Sequence, residues 1–246
     1  MADRAQPVAN LEASFLTDVV YTVLIIGGFY GWLQQPIITA TDSFLRKHAA
    51  FLYTNLLHDL PEPIQLVAFL LAIDFCRYWK HRAMHAVPVL QSIHSIHHSS
   101  ENLNFLTAFR IHLLEYVFDG LITLLPVVVL GIPPAMWLPV YLSFILLNAI
   151  QHSDVDLGFR WLNRILVSPR FHAVHHSQNR SEYSSNYGSL FCIWDILFGT
   201  ANFGASRLKS YGLPHLKIPQ SFFGQFIFPA RPIMRRLLLN HPGKEA

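Results

Sequence analysis

Of the 246 residues, 52% are hydrophobic and only 13% charged, about half the charged share of a soluble domain. That excludes an ordinary soluble protein and makes a bilayer the expected solvent. A formal net charge of +3, with no basic run interleaved with aromatics, excludes a nucleic-acid partner. Cys76 and Cys192 have neither metal-ligand nor disulfide spacing and read as buried apolar fillers.

The predicted fold is an all-α integral membrane protein, one domain over 1–246 with about four transmembrane helices. Residues 1 to about 14 read as a disordered or interfacial lead, and no cleavable signal peptide is visible. The first predicted span is 15–33, with Gly27-Gly28 inside it. From Thr41 to Leu60 the stripe Phe44, His48, Phe51, Leu52, Leu56 predicts a helix lying on the membrane surface, ended by Pro61 and Pro63. The second span is 64–80, which delivers Asp74 and then His81. The third is 113–130, with Pro126 as a kink point. Gly131-Ile-Pro-Pro134 leaves room only for a tight hairpin before the fourth span, 135–151. Residues 81–112 and 152–203 therefore fall on one side of the membrane as a histidine-rich cap, and 204–246 reads as an interfacial segment with a frayed end. Of 18 Lys and Arg, only Arg46 and Lys47 lie between spans one and two, so the positive-inside tendency makes the histidine side cytoplasmic.

The chemistry sits in that cap. His81, His85, His94, His97 and His98 fall within eighteen residues, and His172-Ala-Val-His175-His176 repeats the pattern. On a helix, i, i+3 and i+4 share a face. Pro88 fits the first turn of a second helix between His85 and His94, and Ser168-Pro169 fits an N-cap and first helical residue. With 14 His in 246 residues, one His-x-x-His-His arises by chance roughly 0.04 times per chain, and two far more rarely. A solitary histidine is usually a satisfied polar residue, which is the reading for His48, His58 and His241. For the eight clustered ones it fails. With His152 and His112 nearby, they are too many for one metal of four to six ligands, and two metals fit. Imidazole suits iron and zinc alike. Asp74, two turns before His81, is placed to hold a ligand's free N–H, or else to pair with Arg77 or Arg110. Asn104 and Asp195 flank the motifs and are further candidates for such support.

His81-x-x-x-His85, His94-x-x-His97-His98-Ser-Ser-Glu-x-x-Asn104, Arg110-x-His112, His172-x-x-His175-His176, Asn186-Tyr-Gly188 and Trp194-Asp-x-x-Phe-Gly-Thr200 resemble the fatty acid hydroxylase / sterol desaturase superfamily. The resemblance runs from about Asp74 to Thr200. It implies a membrane non-haem di-iron oxygenase with two iron ions and O2 as co-substrate, zinc being the alternative metal for a purified or crystallised form. Its products would be hydroxylated or desaturated fatty-acyl, sterol or related lipids. The clustered histidines carry over as ligands, and His152 matches the family's histidine after the fourth span. Where some members have His-x-x-x-His, this chain has Asn148-x-x-x-His152, which leaves a further ligand to Asn148, His112 or water. No cytochrome b5-like His-Pro-Gly-Gly segment occurs, so the electron donor is expected to be a separate protein.

Two other classes compete. A histidine-rich membrane metal-binding or transport protein would use the same clusters without oxygenase activity. A zinc hydrolase would need a glutamate after its first histidine, where Arg82 stands.

Overall fold

The computed structural model describes residues 8–153, 161–204, 210–213 and 216–230. The leading residues 1–7, residues 154–160 of the expected cap and most of 204–246, including its last seven residues, lie outside the described residues.

The described chain is helical, with two isolated β-bridges and no strand. Helix α1 (Val8–Ile26) and α2 (Phe29–His48) are separated at Gly27-Gly28 and bent by 48°. Gly28 takes φ 83°, a conformation glycine adopts without steric cost, so the expected 15–33 span is broken there. The 41–60 surface helix is likewise not a separate element. Residues 41–48 finish α2, one 3-10 turn covers Ala50–Leu52, and turns lead to Pro61. The reason is that nothing interrupts the i→i+4 ladder at Thr41, whereas Gly27-Gly28 interrupts it earlier.

Pro61 caps and Pro63 opens α3 (Glu62–Ala86), which runs one and a half turns past the expected span end and so carries both His81 and His85. Helix α4 (Pro88–His94) starts at Pro88, where a missing N–H costs nothing. Helix α5 (Leu113–Leu130) ends on Gly131 at φ 71°, and α6 (Trp137–Gln151) follows the short connection. Helix α7 (Pro169–His175) is capped by Ser168, whose hydroxyl accepts from the Phe171 N–H. Short helices α8 (Arg180–Tyr183), α9 (Ile193–Leu197) and α10 (Phe222–Ile227) complete the described part.

Helix α3 packs on α4, α5 and α6, α2 on α5, and α7 on α6. Buried apolar groups form small separate clusters, such as Ile73, Val140, Phe144 and Leu190 between α3, α6 and the loop before α9. Between them lies a polar interior of histidines, carboxylates and Arg110, while Leu114, Leu125, Leu138 and Leu146 face outward. Among the described residues, α5 alone is long and apolar enough to cross a membrane by itself; α1 and α2 qualify as a bent pair, and α6 is a shorter apolar helix.

Candidate metal centre

Nine histidines meet at the C-terminal end of α3. His81, His85, His94, His98 and His175 form one group, and His97, His152, His172 and His176 a second. Within each group the facing ring nitrogens all lie within 4.8 Å of one another. The groups adjoin: the His98 ring stacks on His176 at 4.4 Å between centroids. The sequence spacing explains the sorting. In the His94–His98 segment, His94 and His98 turn to the first group while His97 turns to the second. In α7 and its cap, His175 turns to the first, and His172 and His176 turn to the second.

The outer nitrogens fix the tautomers. His81 Nδ1 lies 2.9 Å from the Tyr187 carbonyl, His175 Nδ1 2.7 Å from that of Ser185, and His152 Nδ1 2.8 Å from that of Asn148. A carbonyl only accepts, so each of these rings carries its proton on Nδ1 and, when neutral, presents a bare Nε2 inward. His94 Nδ1 meets both oxygens of Glu115, at 2.9 and 3.0 Å. Burial, reinforced by neighbouring imidazoles, holds His81, His85, His97, His98, His172 and His176 well below the usual histidine value. Burial brings His152 down to about 4 and His175 to about 3.

These rings face each other at close range. Nε2–Nε2 separations are 3.1 Å for His81–His94, 3.2 Å for His94–His98, 3.1 Å for His97–His152, 3.0 Å for His152–His172 and 3.1 Å for His172–His176. For His81 and His94, whose Nδ1 atoms both face oxygen acceptors, a neutral pair would aim lone pair at lone pair, which is repulsive unless a cation lies between. Ligands at right angles on a metal with bonds of about 2.1 Å stand about 3.0 Å apart, and tetrahedral ones about 3.4 Å. The residues therefore fit metal binding. The buried Nε2 atoms of His85 and His175, which have no hydrogen-bond partner, fit it too.

The other expected site residues are placed differently. Asp74 does not reach His81: seven residues of helix separate them by about 10 Å. Its oxygens instead accept from the Leu190 and Phe191 N–H groups and from Trp194 Nε1, at 2.7, 3.0 and 2.9 Å. Nor does it pair with an arginine, since Arg77 pairs with Asp119 and Arg110 with Asp18. His112 caps α5, accepting from the Leu114 N–H at Nδ1 and donating from Nε2 to the Phe226 carbonyl, and joins neither group. The Asn148 side chain donates to the Ala108 carbonyl; only its main-chain oxygen serves His152. Asn104 bonds Asp18. Asp195 accepts from the Tyr187 and Gly188 N–H groups at 2.8 Å each, and so supports His81 at one remove.

The sequence reading missed Glu115. Two carboxylates, Glu115 and Asp119, one turn apart near the start of an otherwise apolar helix, were the available signal. The first of them contacts His94 and opens a partly buried chain of alternating charge, Glu115–Lys80–Asp119–Arg77. Beside that chain is a cavity of about 70 Å³, lined by His81 and His94 from one group and His97 and His172 from the other. The main-chain acceptors at Ser185, Tyr187 and Asn148 carry no side-chain signal at all.

Comparison with known proteins agrees with this geometry. The chain is 40% identical over 147 residues to alkylglycerol monooxygenase of Homo sapiens, covering 59% of this chain and 32% of that one. It is 33% identical over 197 residues to an ornithine lipid hydroxylase of Rhizobium tropici, covering 77% and 58%. To a methylsterol monooxygenase of Aspergillus fumigatus it is 34% identical over 148 residues, covering 59% and 49%. The chain thus spans between a third and three fifths of the length of these relatives. No solved structure matches it significantly. The Fatty acid hydroxylase family matches residues 66–200, which contain all nine converging histidines, and the chain belongs to that family, within the fatty acid hydroxylase / sterol desaturase superfamily that its motifs resemble.

Proposed function

We propose that this chain is a membrane-embedded, non-haem di-iron lipid oxygenase that uses O2 and electrons from a separate donor protein. The observation that carries this is the convergence of nine imidazoles into two adjoining groups, with five Nε2–Nε2 separations of 3.0–3.2 Å. Five candidate ligands in one group favour a metal of higher coordination over a tetrahedral structural zinc. Bound there, two irons would supply O2 activation for insertion into a C–H bond. His81, His85, His94, His98 and His175 would hold one, and His97, His152, His172 and His176 the other.

The chain's own groups orient and exclude. The Tyr187, Ser185 and Asn148 carbonyls and Glu115 fix the rings, as partners of metal-bound histidines do. Helices α3, α5 and α6 each line the cavity that touches both groups, and a reacting lipid carbon would have to enter there. The outward leucines and polar interior support a bilayer as surroundings, and the basic residues support a cytoplasmic histidine face. The named activities of the relatives support hydroxylation of a lipid alkyl group, with glycerol ethers and amino-acid lipids as the first substrates to try.

The test is to supply iron-loaded protein in lipid nanodiscs with a reductase system and isotopically labelled O2, and to analyse added lipids. Label in a hydroxylated lipid is expected. Metal uptake into proteoliposomes with no O2-dependent product would replace this reading with a metal-transport one.

A further inference from the structure

Next to the first histidine group begins a line of oxidisable rings that ends at the surface. The Tyr187 ring centroid lies 5.6, 5.4 and 5.7 Å from those of His81, His85 and His175. Tyr78 is 6.2 Å beyond Tyr187, and Trp79 is 5.5 Å beyond Tyr78. Tyr78 is fully buried, whereas Trp79 is 40% exposed. It stands at the end of the expected second span, where indoles sit at headgroup level.

Packing alone does not account for the hydroxyl of Tyr78. That phenol is 2.9 Å from Thr200 Oγ1, which in turn donates to Asp195 at 2.6 Å. With Thr200's proton committed to a carboxylate, Tyr78 is the donor. Its proton therefore has a prepared path to a buried acceptor. Burial raises the Asp195 carboxyl, which makes it a better acceptor, and a phenylalanine would have filled the same space.

We infer that Tyr187, Tyr78 and Trp79 form a drain that carries oxidising equivalents from the histidine site to the surface when no substrate C–H bond is in reach. This rests on the oxygenase reading above. Phenols and indoles yield an electron only to a strong oxidant, so the line cannot act as a resting relay for incoming reducing electrons. Its direction is thus outward for an electron hole. Tyr78 gives one electron, through the bridging Tyr187, to the oxidant that O2 and external electrons generate in the site. In the same step the Tyr78 proton shifts to Thr200 and that of Thr200 to Asp195. Trp79 then refills Tyr78, whose proton returns. A one-electron reductant of the thiol or ascorbate class refills Trp79, so the chain ends unchanged, the oxidant has gained one electron and the reductant has lost one. Arg82, 5.3 Å from the Trp79 ring centre, disfavours positive charge resting on the indole and so favours its refilling.

Hydrogen peroxide, given to iron-loaded protein without lipid or thiol, replaces O2 and the donor, and peptide mass spectrometry then locates oxygenated side chains. Trp32 and Trp161 are internal controls, because they are 70% and 68% exposed and lie off the line. In the wild type Trp79 should carry more oxidation than either, although it is less exposed. In Tyr78→Phe, at unchanged iron content, that excess should vanish and the ligand histidines should take the marks. In Trp79→Phe the histidines should again be marked. Oxidation ordered by exposure in the wild type overturns the drain, and so does an undiminished Trp79 signal in Tyr78→Phe. Lipid product formed alongside exposure-ordered marks would sink the drain alone. Marks centred on Trp79 without any lipid product under O2 would sink the oxygenase reading alone.

Discussion

A neutral imidazole carries one proton, and the group that holds that proton decides which nitrogen is free for a metal. For His94 the holder is Glu115, the one carboxylate in direct contact with either histidine group among the described residues. Glu115→Gln keeps an acceptor but removes the charge that makes His94 a stronger ligand. Loss of such a partner typically costs about 10–100-fold in metal affinity or activity, which iron titration against a chelator will read. Asp74→Asn should behave differently. It leaves one of three N–H donors facing an amide N–H2, costs about 1–3 kcal/mol of stability and spares iron content per folded chain. Equal loss of iron in the two variants would contradict these assignments. His97→Ala and His175→Ala should each abolish turnover while leaving membrane insertion intact, because both lie outside the expected spans and each removes one ligand. Turnover near wild type would remove that residue from the ligand set.

At the scale of elements, the site depends on short irregular segments held by rigid helices. The 185–191 loop hands the Ser185 and Tyr187 carbonyls to His175 and His81, and Asp195 and Asp74 hold its N–H groups. Gly188 has no space for a side chain: a Cβ there would stand 2.5 Å from the Phe191 carbonyl oxygen. Gly188→Ala should therefore displace the Tyr187 carbonyl and lower iron occupancy of the five-histidine group, which the iron-to-protein ratio will show. A second clamp crosses the chain from α1, where Asp18 accepts from Arg110 Nε at 2.5 Å while Arg110 also bonds Ser99, just after His97-His98. Gln225 of α10 reaches the same Ser99 hydroxyl. Removing one partner of a buried ion pair costs about 3–5 kcal/mol. Asp18→Ala should thus lower the melting temperature in detergent more than the Asp18→Leu/Arg110→Met pair does.

How much of this was legible follows from what kind of group does the work. The histidine spacings carry both groups, because i, i+3 and i+4 on a helix fix direction, and His152 was placed by resemblance. Pro88 and Ser168-Pro169 marked the starts of α4 and α7 for local reasons that tertiary contacts do not override. What the spacings do not carry is distance. Asp74 shares a face with His81 but sits about 10 Å away along the axis, and Glu115 reaches His94 only because α5 packs on α3. Main-chain acceptors are invisible in side-chain patterns. The break at Gly27-Gly28 was present in the sequence, but hydropathy outweighed it in the reading of one continuous span.

Across the described residues, large apolar side chains such as Leu138 and Leu146 face outward, while Glu115, Arg110 and all but one of the nine converging histidines are buried. That arrangement places the chemistry in a buried interior, where unpaired charge is costly. The two places where ring nitrogens converge fit cations. The most direct test is metal analysis with Mössbauer spectroscopy on protein purified after iron supplementation. The account predicts about two irons per chain in histidine-rich, non-tetrahedral environments. Fewer than about one transition metal per chain after reconstitution would contradict it.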